Sequence, residues 1–186
     1  MSHFTPCVSE LGASGRGAAQ PLVALELIAQ RQVRVLENLF ELYAYDLSDI
    51  VPLELHSNGR FDVGPGDIWW STDDHFPFLV RCEGKLVGFA LVRKGSRVTG
   101  DPRVMDVAEF FVVRGARRKK IGTSVAHALF RAFPGRWELR VRRANTSAMA
   151  FWSRASSEWL GSPVSSLPFS IDGIDWDVLQ IGDFPK

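Results

Sequence analysis

Apolar residues recur along this chain with two different periods, and the places where one period gives way to the other divide it into elements. Val35, Leu36, Leu39, Phe40 and Tyr43 return at helical spacing, which predicts a helix with one apolar face from about Gln32 to Tyr45. Ile121, Val125, Ala128, Leu129 and Ala132 form a second such stripe, stopped by Pro134-Gly135. A third stripe, Ala148, Phe151, Trp152 and Ala155, follows Asn145, a good N-cap residue. Between the last two stripes the period changes to two: Trp137, Leu139 and Val141 alternate with Glu138, Arg140 and Arg142, the pattern of a half-buried strand. Apolar, β-prone runs lie on either side of Glu83-Gly84 (76–82 and 85–93) and of Asp172-Gly173 (164–171 and 174–181), so two hairpins are predicted. Residues 105–113 read as a strand that passes through a basic turn into a helix at Gly122. The run from Leu22 to Ile28 reads as an edge strand, although its length alone does not exclude a helical turn.

Polar segments rich in Gly and Pro separate these elements. Residues 1–20 contain the run Gly12-Ala-Ser-Gly-Arg-Gly-Ala-Ala, with little apolar surface to offset the entropy of ordering, and are expected to form a disordered tail before one domain over 21–186. Residues 46–75 carry Val51-Pro52, Asn58-Gly59 and Gly64-Pro65-Gly66, and are expected to be a long loop with room for a short helix. The sum is an α/β chain, with helices between strands in the middle and hairpins flanking them.

Composition narrows the partners. Twenty-two Lys and Arg against 21 Asp and Glu give a net charge of +1, which removes any global electrostatic case for a nucleic acid or an acidic membrane, so an anion site must be local. Cys7 and Cys82 lie far apart, and neither a disulfide framework nor a metal cluster is expected. The N-terminus lacks the basic start and apolar run of a signal peptide, and charged residues interrupt every longer apolar stretch; a cytoplasmic protein with no metal is the expectation.

The chemistry concentrates in residues 105–133. A strand feeding a Gly-containing turn and then a helix aims several backbone N–H groups at one point, where the helix dipole also favours negative charge. The turn is not a Walker loop, since no Gly-Lys-Ser/Thr stands at the required distance from Gly115, and it contains no GxGxxG. Glu109 interrupts a strand otherwise made of Val, Ala and Phe, where desolvation would raise a carboxylate's pKa, so it is the first candidate for a general base. Asp106 is the second. Three residues earlier, it falls on the opposite face of a regular strand unless a bulge intervenes. A structural reading of Glu109, paired with Arg140 or Arg142, weighs equally.

Arg117-Arg-Lys-Lys-Ile-Gly122 resembles the acetyl-CoA-binding signature of the GNAT acetyltransferase superfamily, Arg/Gln-x-x-Gly-x-Gly/Ala, with Arg117 at its first position, Gly122 at its last and Lys120 replacing the inner glycine. Asn145-x-x-Ala148-x-x-Phe151-Trp152 resembles the superfamily's later Asn-x-x-Ala-x-x-Phe/Leu-Tyr helix. Two ordered motifs in matching surroundings extend the resemblance over about 22–181, most closely to a branch of predicted acetyltransferases. It implies a mixed, mostly antiparallel central sheet with splayed middle strands, flanked by helices. It implies acetyl-CoA as co-substrate, with Arg117, Arg118, Lys119, Lys120, Ile121, Gly122 and Thr123 around the pyrophosphate, the backbone of Phe111 and Val112 along the thioester arm, and Asn145 and Trp152 facing the cofactor. It also places Asp106, rather than Glu109, where some members keep a catalytic glutamate, and Trp152 where a tyrosine commonly protonates the leaving thiolate; Tyr43 and Tyr45 are the only tyrosines available instead.

The expected reaction is direct acetyl transfer to an amine of a small molecule. Tyr43, Tyr45, Asp46 and Trp70, with Trp69, Asp73, Asp74 and His75, would give an aromatic and acidic surface for a cationic acceptor, or a core-packing loop with an acidic tip. Two other readings compete: a CoA-binding sensor or degenerate non-catalytic domain, motivated by Lys120 and Trp152, and a nucleic-acid contact at the basic turn, which the balanced charge disfavours. The sequence identifies neither the acceptor nor the acyl length, and leaves a homodimer open.

Overall fold

A computed structural model of the chain describes residues 21–184; the expected tail, Cys7 included, lies outside the described residues. Seven strands form one sheet in the order β1-β2-β3-β4-β5-β7-β6. They are β1 (Val23–Leu27), β2 (His75–Cys82), β3 (Lys85–Lys94), β4 (Val104–Val112), β5 (Arg136–Arg142), β6 (Ser166–Ile171) and β7 (Ile174–Ile181). All pairs are antiparallel except β4 with β5, which are parallel and joined by α2. The helices are α1 (Val33–Leu47), α2 (Ile121–Ala132) and α3 (Thr146–Leu160). Within residues 46–75 the short helix is a single 3-10 turn, Asp67–Trp70.

The two faces of the sheet carry separate cores because successive strand residues alternate. α2 and α3 cover one face through Val125, Leu129, Phe130, Trp152 and Ala155, packed on Val80, Val92, Trp137 and Leu139. α1 covers the other with Leu36, Leu39 and Phe40, packed on Leu79, Phe89, Leu91 and Phe111. The amphipathic stripes read from the sequence thus fall where they bury.

Two irregularities shape the middle of the sheet. β4 and β5 pair only over Val104–Asp106 with Arg136–Glu138, after which the strands separate. The splay implied by the family resemblance is therefore present. In the pairing of β3 with β4 the register slips between Leu91 and Val92, so that Leu91 faces Glu109 while Val92 faces Val107. The extra residue, Ala108, is a bulge, and it returns Asp106 and Glu109 to the same face, the one covered by α1. A regular strand would have separated them.

The last pair before the splay, Asp106 with Glu138, brings together two fully buried carboxylates, each 0% exposed. Asp106 accepts from Arg93 on β3 (Nε, 2.8 Å) and from Arg140 on β5 (Nη2, 3.1 Å). Glu138 accepts from Ser96 Oγ at 2.5 Å and from Gln180 Nε2 of β7 at 3.3 Å. Buried carboxylates require such partners, because their desolvation otherwise far outweighs any local attraction. Donors from β3, β5, β7 and the loop after β3 thereby meet at the joint between the two half-sheets.

Candidate active site

The turn after β4 is built around two residues in left-handed conformation, Arg118 (φ 62°) and Lys120 (φ 59°), with Lys119 between them. Turns of this kind collect successive N–H groups on their concave side. No side chain caps α2, so the N–H groups of its first turn, at Ile121, Gly122 and Thr123, add to that set where the helix dipole is positive. The result is a set of backbone donors running from Arg118 to Thr123, a cradle of the kind that suits an anion. Lys120 holds its left-handed geometry without being glycine, at a cost on the order of 1–3 kcal/mol, which is the kind of strain that accumulates at ligand clamps.

Gly122 has a second reason to be glycine. A Cβ there would lie 3.0 and 3.2 Å from ring atoms of Phe151, which itself stacks on Phe110 of β4 at 5.6 Å. The two sequence motifs are thus in contact, α3 closing against the first turn of α2. Gly122→Ala should therefore weaken acetyl-CoA binding or cost about 1–3 kcal/mol of stability, and in a Phe151→Leu background the same change should cost less. Calorimetric titration and thermal unfolding of the parent, the two single variants and the double variant give the coupling; additive effects would disprove this contact as the cause.

Arg117 stands outside the cradle. Its Nε donates to Val112 O at 2.7 Å, and its guanidinium pairs with Asp46, which also accepts from Arg114 Nε at 2.5 Å. Burial would raise the Asp46 carboxyl, but the bonds from Arg117 and Arg114 outweigh it and hold it below the usual carboxylate range. Asp46, expected on the acceptor side, instead fastens the basic turn to the end of α1. Long-range pairing overrode the local reading.

Within the splay lies a cavity of about 350 Å³. Its walls include Val107, Phe110, Val141, Asn145 and Trp152, with Tyr43 and Leu47 of α1 over it. Asn145 Oδ1 caps α3 by accepting from Ala148 N at 3.0 Å, so its capping role and its place on the cavity wall coexist. Trp152 is buried against the Phe110 ring, 4.9 Å between centroids. Of the two residues expected along the thioester arm, Phe111 turns its carbonyl to β3, where a Cβ on Gly88 would collide with it. Val113 N bonds Val87 O, so by strand alternation Val112, and Phe110 with it, present their backbone groups to the gap.

Glu109 lines this cavity and also a second one of about 430 Å³ on its other side. It accepts a hydrogen bond from Tyr43 Oη at 2.6 Å. Burial pushes the Glu109 carboxyl up from its ordinary value, partly offset by the Tyr43 bond and by Arg140. Burial and the neighbouring Glu109 likewise push the Tyr43 hydroxyl well above its ordinary value, which keeps it a neutral donor. Asp106 is different in kind: neither of these two cavities includes it in its wall, and two guanidiniums occupy its oxygens. The arginine pairing considered for Glu109 belongs to Asp106.

The second cavity also departs from expectation. Trp69, not Trp70, reaches it, together with His75, Ile68, Phe169 and Trp176. Trp70 lies in a separate surface groove with Gln30 and Asp67, and Tyr45 is 66% exposed and lines neither cavity. Arg93, Arg97 and Arg140 stand in the wall instead of an acidic cluster. Burial and Arg93 push His75 below its ordinary value. Among the described residues no group of three or more His, Cys, Asp or Glu is placed to hold a metal ion, and no helix is long and apolar enough to cross a membrane.

Comparison with known proteins agrees with this geometry. The model of the acetyltransferase (GNAT) family matches residues 36–156. No curated protein matches the chain by sequence. Among solved structures, the chain resembles an acetyltransferase from Thermus thermophilus (TM-score 0.62, 13% identity, covering 85% of this chain and 95% of that one). It resembles the aminoglycoside acetyltransferase AAC(6')-Ib in complex with coenzyme A (TM-score 0.65, 12% identity, 87% and 95% covered). It also resembles the PaiA N-acetyltransferase of Thermoplasma acidophilum in complex with coenzyme A (TM-score 0.59, 12% identity, 87% and 99% covered). At these identities the likeness is one of fold.

Proposed function

Since the chain belongs to the GNAT acetyltransferase family and is by that membership an acetyl-CoA-dependent acyltransferase, we propose that it acetylates the amine of a small molecule, with Glu109 as the general base. The observation that carries this is the position of Glu109 in the wall shared by the two cavities, one inside the splay and one beyond it. A group in that place can meet a donor entering from one side and an amine entering from the other.

The residues fit acetyl-CoA. The uncapped first turn of α2 and the left-handed residues Arg118 and Lys120 offer backbone donors for a pyrophosphate, and the basic side chains of Arg118, Lys119 and Lys120 add screened attraction. Phe110 and the N–H of Val112 offer strand-edge groups along the splay, in place of the Phe111 backbone, the Val112 carbonyl being held by Arg117. Arg117 and Asp46 act at one remove by fixing the turn. Asn145 and Trp152 shape the cavity. Acetyl-CoA supplies an acyl carbon on a thiolate leaving group, and the reaction exchanges its C–S bond for a C–N bond.

The protein's own part is positioning and proton transfer. An alkylammonium has no lone pair, so Glu109 takes a proton from the acceptor nitrogen; a raised carboxyl pKa brings it nearer to that task. The neutral Tyr43 hydroxyl holds the carboxylate in place from α1. Amide formation removes two protons from the ammonium: Glu109 passes the first to solvent before attack and the second, taken from the nitrogen as the C–N bond forms, to the departing thiolate, because a carboxylic acid is a stronger acid than the thiol that leaves. No tyrosine on α3 is needed, which removes the objection that Trp152 stands there.

Titration calorimetry with acetyl-CoA and with CoA tests the premise, and the expected outcome is binding of both below millimolar concentration, weakened by Gly122→Ala. Thiol release on addition of an amine panel then tests transfer. Binding without release from any amine would establish the non-catalytic reading.

A further inference from the structure

The second cavity carries more cationic side chains than carboxylates, and one of them, Arg97, is exposed at its rim. Arg93 and Arg140 share the single carboxylate of Asp106. Arg97, whose field lowers both His75 and Arg93, makes no hydrogen bond or ion pair among the described residues. Trp176, shared by both cavities, lies under Arg140 and Arg142, 5.3 and 5.2 Å from its ring centroid, and its buried Nε1–H has no acceptor among the described residues. The acceptors on the other side of this account are Glu109, already engaged by Tyr43, and Asp172 in the β6–β7 turn.

The position of Arg97 is built. Its neighbour Ser96 is buried, bonds Glu138 at the joint, and takes Val98 N at 3.0 Å and Thr99 N at 2.7 Å on the same hydroxyl. The residues on both sides of Arg97 are therefore held, while its exposed guanidinium stands at the cavity rim with no carboxylate partner among the described residues. A purely cationic acceptor would meet repulsion there. The remaining wall is apolar, with Phe40, Ile68, Trp69, Leu91, Phe169 and Ile171, and a volume of about 430 Å³ suits a small molecule.

On the basis of the acyl-transfer reading above, we propose that the acceptor is an amine that also carries a carboxylate, that is, an amino acid with an apolar side chain: its carboxylate bound by Arg97 beside Arg93, its apolar body on the Phe40 and Trp69 wall, and its amine at Glu109. Arg97 is then the residue that selects acceptors by charge. It contributes binding rather than proton transfer.

Matched pairs differing only in the carboxylate test this: phenylalanine against phenethylamine, and leucine against 3-methylbutylamine, with thiol release followed at saturating acetyl-CoA. The amino acid of each pair should show a kcat/KM about tenfold or more above its amine, as expected for a charged hydrogen bond to a guanidinium. Arg97→Gln should raise KM for the amino acid by a similar factor, leave its kcat within about twofold and lower KM for the simple amine, whose repulsion it relieves; Arg97→Lys should restore part of the preference. Equal or better use of the simple amines, an equal loss on both members of a pair, or no turnover of any amino acid by protein that binds acetyl-CoA would overturn the proposal. Failure to bind acetyl-CoA would instead remove the acyl-transfer reading on which it rests.

Discussion

Glu109→Gln should lower kcat by about 10²- to 10⁴-fold, the usual contribution of a positioned general base, while leaving the affinity for acetyl-CoA nearly unchanged. Glutamine keeps the shape and an oxygen that can still accept from Tyr43, so the 2.6 Å contact and the packing of α1 survive the change. The carboxylate is some distance along β4 from the cradle at Arg118–Thr123, which is why binding of the donor should be spared. The pH dependence supplies a second readout. With Glu109 as base, activity requires its ionised form, and burial places its pKa above the ordinary value, so kcat should fall on the acid side of that raised pKa. The Tyr43 bond favours the ionised form; Tyr43→Phe removes it, and the acid limb should then move to higher pH. Unchanged turnover in a folded Glu109→Gln protein would leave Glu109 as scaffold only.

Asp106→Asn should cost about 3–5 kcal/mol of stability, the range found when one member of a buried ion pair is removed, and lower the unfolding temperature by about 6–20 °C for a chain of this size. Asp106 is fully buried, and the side chains of Arg93 and Arg140 are only 12% and 13% exposed. Without the carboxylate two guanidiniums remain in place with no counter-charge. Thermal unfolding of the two carboxylate variants separates their roles: Asp106→Asn should unfold early yet turn over well below its transition, whereas Glu109→Gln should unfold near the parent temperature and turn over slowly. The reverse pattern would exchange the assignments of the two residues.

Much of this was legible in the sequence because it rests on local chemistry. Each helix comes from a 3.6-residue period and β5 from a period of two, the other strands from apolar, β-prone runs, and each hairpin from Glu83-Gly84 or Asp172-Gly173. Glu109 ranks ahead of Asp106 on its apolar neighbours alone; in the structure the two differ not in burial, which is complete for Asp106, but in the two guanidiniums on Asp106 and the cavities beside Glu109. What escaped reading depends on partners distant in the chain. The bulge at Ala108 exists only in register with β3, so no local pattern announces that Asp106 and Glu109 share a face. Asp46 looked like an acceptor-side acid until Arg114 and Arg117 were brought to it from 68 and 71 residues away. Trp69 and Trp70 are adjacent and chemically alike; a 3-10 turn decides which one reaches the cavity. Arg97 carried no motif. Its one legible sign was a cation beside a serine in a Gly-bounded loop, too common a pattern to single out.

The joint at Asp106 and Glu138 has a mechanical consequence. β4 and β5 behave as the two tines of a fork whose stem is three residue pairs long, and the tine from Asp106 to Val112 is a lever of about 20 Å at roughly 3.3 Å per residue. A swivel of about 3° at the stem would displace the far end by about 1 Å, and misplacement of that size can cost a reaction about a hundredfold. An ion-paired stem with donors from four directions resists sliding and twisting in a way that a greasy contact would not. Gauge, the distance between the tines, is therefore set far from the acetyl group it serves.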